Sequence, residues 1–131
     1  MNILIATDGL PPATHAIHEA ARLLAAAGAD ILLVSVLDPE QHTGGNQDAE
    51  ADIEAGLAIL RSHGIHARGE LLRGHYAEAI LHRAESLPAD VVVVGSDRSS
   101  PLVHLLTGSV STQIVRKFKG AVLVVPLLHH D

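Results

Sequence analysis

The sequence predicts an α/β domain: a doubly wound, five-stranded, mostly parallel sheet with helices on both faces. Three observations predict it. Short apolar runs, too brief and too β-branched for helices, are continuous instead of alternating, as in strands buried on both sides. Segments with a three-to-four-residue apolar stripe lie between them. The two kinds alternate along the chain, which with right-handed crossovers gives a parallel sheet covered on both faces.

The strands are expected at Ile3 to Ala6, Ile31 to Leu37, about His66 to Leu72, Val91 to Val94 and Ala121 to Val125. The third is the weakest of them. The first helix carries its stripe on Ala13, Ile17, Ala20 and Leu24, and the second on Ile53, Leu57 and Leu60. The third uses Ala77, Ile80, Leu81 and Ala84, and the fourth Val110, Ile114 and Phe118. Gly28, Gly64 and Gly120 fall where helices should end. Pro39 to Asp48 is polar, with Thr43-Gly44-Gly45-Asn46 at its centre, and reads as a mobile loop that folding can spare.

A length of 131 residues fits one domain, 1–131. Hydrophobic residues make up 47% and charged residues 18%, the reverse of a disordered chain. One Tyr, one Phe and no Trp argue against modules that stack bases. A net charge of −6 repels a phosphate backbone, so no nucleic-acid partner is expected. The absence of Cys excludes disulfides and cysteine-based chemistry. Met1 leads straight into Asn2-Ile3-Leu4-Ile5-Ala6, a strand and not a secretion signal, and no apolar run approaches a bilayer's width. A cytoplasmic protein without a membrane partner is the expectation.

Ligands of open parallel sheets bind beyond the carboxyl ends of the strands, where strand order reverses. Three exits stand out: Thr7-Asp8-Gly9, Asp38-Pro39, and the long stretch from Gly95 through Ser96, Asp97, Arg98, Ser99, Ser100 and Pro101 to Gly108-Ser109. A glycine permits close backbone approach, and a helix start at Gly108-Ser109 offers free N–H groups that suit a phosphate. Ser109 and Ser111 add hydroxyls, and Arg98 a fork of donors. The same residues are also ordinary turn and cap chemistry. Neither a Walker loop nor a Rossmann glycine fingerprint is present.

Ten histidines raise the question of metal. His15 and His18 are three apart on a helix, His63 and His66 straddle Gly64, and His129-His130-Asp131 is a tail. Metal sites need three or four convergent ligands with supporting second shells, and none of these pairs shows that closure, so they are read as exposed histidines and no metal site is assigned. His104 lies in the stretch after the fourth strand and is read as packing on its surface. No set of nucleophile, base and orienting group stands out, so no catalytic residue is assigned.

Over nearly its whole length the chain resembles the universal stress protein family. Ile3-Leu4-Ile5-Ala6-Thr7-Asp8-Gly9 is similar to the family's first strand and its Asp, and Gly74-His75-Tyr76-Ala77-Glu78-Ala79-Ile80 to its turn into the third helix. Asp90 to Gly95 resembles the fourth strand and Val122-Leu123-Val124-Val125-Pro126 the closing one. ATP-binding members carry Gly, two residues, Gly, nine residues, then Gly-Ser or Gly-Thr. Gly95, Gly108 and Ser109 keep that register, and Arg98 stands at the second glycine.

The resemblance implies an adenine nucleotide alpha hydrolase-like fold with strand order 3-2-1-4-5 and a homodimer through strand five. It also implies an ATP site, with Mg²⁺, in which Ala6, Asp8 and Val36 line the adenine and ribose end. Gly95, Ser96, Asp97, Arg98 and Ser99 would wrap the phosphates, and Gly108, Ser109 and Val110 would present helix N–H groups. Arg98 either forfeits the site, if a positive φ is required there, or pairs with phosphate oxygens; the second is our expectation. Leu10-Pro11-Pro12 replaces the small polar residues usual after Asp-Gly. Two functions follow: a nucleotide-binding stress-response regulator with slow or no hydrolysis, or a nucleotide-free homodimeric interaction module.

Overall fold

The computed structural model describes residues 1–24, 28–39, 48–97 and 110–127. Its elements are β1 (Asn2–Ala6), α1 (Pro11–Leu24), β2 (Asp30–Leu37), α2 (Ala49–Ser62), β3 (Arg68–Arg73), α3 (Tyr76–Ser86), β4 (Val91–Asp97), a helix α4 over residues 110–117, and β5 (Ala121–Leu127). All strand pairings are parallel, in the order β3-β2-β1-β4-β5. The expected topology is the observed one, and β3 and β5 are its edges.

The continuous apolar runs are explained by two cores, one on each face. On one face α1 and α2 pack Ala16, Ile17, Ala20 and Leu60 against Ile3, Ile5, Ile31, Leu33, Val93 and Val125. On the other, α3 and α4 pack Ala77, Ile80, Ala84 and Ile114 against Leu4, Leu32, Val34, Val36, Val92 and Val94. Successive residues of the inner strands thus serve opposite cores, which keeps those strands almost wholly apolar.

Helix ends follow local chemistry. Asp48 caps α2, its carboxylate accepting from the Ala51 N–H at 3.0 Å. At the other end Gly64 takes φ +79°, letting its N–H reach Arg61 O and that of Ile65 reach Leu60 O. Pro11 and Pro12 sit in the first turn of α1, where their missing N–H groups would have had no helical partner.

Three boundaries differ from expectation. β3 starts at Arg68, not at His66. β5 runs on to Leu127 through Pro126, which an edge strand tolerates because one side of it has no ladder to supply. β4 continues three residues past Val94, with Gly95, Ser96 and Asp97 registered against Val125, Pro126 and Leu127. Those three residues, expected in a loop, are strand, because β5 is long enough to pair with them. The expected loop Pro39 to Asp48 falls mostly on residues outside the described ones.

Leu33 is fully buried at the centre of the first core. Leu33→Ala should cost about 3 kcal/mol in urea unfolding, from lost burial and the cavity left behind. A cost below about 1 kcal/mol would mean that the helices collapse into the space.

Candidate functional site: a notch above the central strand

β1 is the shortest strand of the sheet and it lies in the middle. Its ladder with β2 ends at Ala6 against Val34, closed by the Thr7 N–H donating to Val34 O at 2.9 Å. β2 runs on through Ser35, Val36 and Leu37, paired only with β3. On the other side Ile5 is level with Val93, and β4 runs on to Asp97, paired only with β5. Both walls therefore rise three residues, roughly 10 Å, above the end of β1. The result is a notch at the switch point, floored by Ala6, Thr7 and Asp8.

Side-chain hydrogen bonds turn the chain out of this floor. Thr7 is buried, and its Oγ1 accepts from the Gly9 N–H at 3.1 Å. The Asp8 carboxylate accepts from the Leu10 N–H at 3.0 Å. Gly9 takes φ +77°, and a Cβ there would overlap the Asp52 carboxylate. The turn thus needs a glycine twice, for its dihedral and for its neighbour.

The expected site residues divide clearly. Ala6, Val36 and Val110 meet in the core beneath α3 and α4, and Ser96, two residues beyond Val94, shares that face. Val36 is 1% exposed, so its side chain is core, and only its backbone is left to meet a ligand. Gly95 faces the other way. A Cβ there would crowd the backbone of Pro12 and Ala13, so its missing side chain already serves the first turn of α1. Gly95 is not among the positive-φ glycines. Arg98, Ser99, Gly108 and Ser109 lie outside the described residues, as does His104. Ser111 is buried in α4.

The electrostatics of the rim were not legible from the sequence. Asp52, in the first turn of α2, has a buried Oδ2 with no hydrogen-bond partner. Burial raises its pKa above the usual carboxylate range, and the nearby charges of Asp8 and Asp48 raise it further. Tyr76, at the start of α3, is pushed up to about 12 by burial and then by Asp8, Asp52 and Asp38. His75 Nδ1 stands 3.5 Å from the buried Asp38 carboxylate. Carboxylates just past β1 and β2 and one from α2 thus act on one tyrosine. The one local signal for Asp52 was its place four residues after the Asp48 cap, which does not distinguish it from any acidic first turn. Among the described residues no three acids or histidines converge as metal ligands, and no helix is long and apolar enough to cross a membrane.

A family model described as the universal stress protein family matches residues 1–126. The chain belongs to the universal stress protein family. Among similar universal stress proteins is Slr1230 of Synechocystis, 36% identical over 80 residues, which are 60% of this chain but 28% of that protein. Another is MJ0531 of Methanocaldococcus jannaschii, 26% identical over 94% of this chain and 80% of the relative. The matched residues thus cover less than a third of the Synechocystis protein's length. A universal stress protein solved with cAMP superposes with a TM-score of 0.79 at 22% identity, covering 96% of both chains. One from Archaeoglobus fulgidus solved with dAMP gives 0.75 at 18%, covering 95% of this chain and 97% of that one. At these identities the structures establish a shared fold.

The raised pKa of Asp52 has a signed consequence. Its protonated form is favoured in the fold, so its contribution is fully present below the unfolded carboxylate pKa and is lost as pH rises through the folded one. Asp52→Asn should therefore raise the thermal midpoint at pH 7, and the gain should shrink as pH falls through the carboxylate range. A midpoint unchanged at pH 7 would show that this carboxylate carries no penalty.

Proposed function

We propose that this universal stress protein binds an adenine nucleotide of the ATP type, as a stress-response regulator with slow or no hydrolysis. The observation that carries the reading is the notch. A short central strand between two longer neighbours leaves a recess about three residues deep at the switch point, where sheets of this kind take ligands. Ala6, Val36 and Ser96 gather on one side of it. Relatives of the same fold were solved with cAMP and dAMP. Arg98, Ser99, Gly108 and Ser109 follow in the sequence register of the family's phosphate loop. No general base is assigned, and binding without turnover suits a signal.

The acidic rim bears on which form is bound. Negative charge on Asp8, Asp38 and Asp52 would repel bare phosphates brought near them. Mg²⁺ carried on the phosphates would offset that repulsion, with Asp8 and Asp97 as the residues to hold it through water. The same rim favours a second reading, a nucleotide-free homodimeric module. Both readings share a dimer formed through β5, an apolar edge strand with an open side.

Calorimetry with ATP and Mg²⁺, and mass spectrometry of the purified protein for carried nucleotide, test the site. Gly108→Val should abolish binding, and Arg98→Ala should weaken ATP by about tenfold or more while sparing adenosine. No heat from the wild type and no carried nucleotide would leave the nucleotide-free module. For the dimer, Val124→Pro should give a monomer by light scattering, and an unchanged dimer would place the interface elsewhere.

A further inference from the structure

The fold brings together two histidines that sequence spacing does not pair. His18 lies midway along α1, and His63 is the C-cap of α2. Their facing ring nitrogens, His18 Nδ1 and His63 Nε2, stand 3.2 Å apart, with ring planes inclined at 70°. Both residues are solvent-exposed. Two imidazoles in this position share one proton between two lone pairs.

The same separation suits something other than a proton. Two nitrogens bound at about 2.0 Å to one tetrahedral ion are about 3.3 Å apart. We propose that His18 and His63 form a two-imidazole clamp for a borderline divalent cation of the zinc, nickel or copper class, tying α1 to α2. Imidazole is the donor these ions prefer. Among the described residues no third ligand converges, so water completes the coordination and the ion exchanges with its surroundings. That distinguishes the clamp from a resident centre with three or four protein ligands.

Two features prepare the site. The first is rigidity of both backbones. His18 follows the buried Ile17 and precedes the buried Ala20 and Ala21. His63 is held by its own N–H on Leu60 O and by the closing bonds of Gly64 and Ile65. Ligands on fixed backbones lose little freedom when an ion arrives. The second is access: both histidines are exposed, so a hydrated ion can reach them.

The test uses the full chain and Zn²⁺ as probe. Titration calorimetry and thermal melts with and without Zn²⁺ are run on the wild type, His18→Asn, His63→Asn and, as control, the exposed His66→Asn. The wild type should bind one Zn²⁺ at this site and melt higher with it, since an ion that binds only the folded chain stabilises it. His18→Asn and His63→Asn should each weaken that binding at least tenfold and lose the Zn²⁺-dependent rise. His66→Asn should keep both, and any ions held by the terminal histidines remain as a common background. Zn²⁺ affinity and melting shift in His63→Asn equal to the wild type would overturn the clamp, as would a wild type that binds no Zn²⁺.

Discussion

Everything at the carboxyl edge of this sheet depends on where β1 stops. A central strand is held on both sides, so its end fixes the depth of the notch from both walls at once. Thr7 makes the last bond to β2, and then its hydroxyl and the Asp8 carboxylate capture the next N–H groups for a tight turn. Had the chain continued as strand to residue 9, the walls and floor would be level. The turn also fixes α1, whose first residues then lie against Gly95 of β4. One short strand, one turn and one bare glycine make a single mechanical unit.

That unit explains which parts of the molecule could be read in the sequence. The strands were legible because burial on both faces leaves unbroken runs such as Val91 to Val94, and the helices because their stripes face such a sheet. The end of β4 was misread because Gly95, Ser96 and Asp97 look like a loop. What makes them strand is the length of β5, thirty residues away and invisible to local pattern. Gly95 has a second reason to be bare that local pattern does not show: the first turn of α1 requires the space.

The candidate site was legible in its floor and not in its charge. Ala6, Asp8 and Val36 follow from the ends of β1 and β2, which the apolar runs mark plainly. Asp52 does not, because it reaches the rim from α2, across a long connection, and only tertiary packing sets it beside Gly9 and Asp8. The histidines obey the same rule. Sequence spacing pairs His15 with His18 and His63 with His66, and the packing of α1 on α2 crosses those pairs instead.

Tyr76 gives the rim an optical property. It is the one tyrosine of a chain without tryptophan, half-buried where the charges of Asp8, Asp38 and Asp52 converge. Apart from the weak emission of Phe118, the intrinsic ultraviolet fluorescence of the protein therefore originates at the rim of the notch. Were the proposed nucleotide to bind there, its occupancy would be read in the protein's own fluorescence without a label, and the chain's faint absorbance would leave a carried nucleotide to dominate the spectrum.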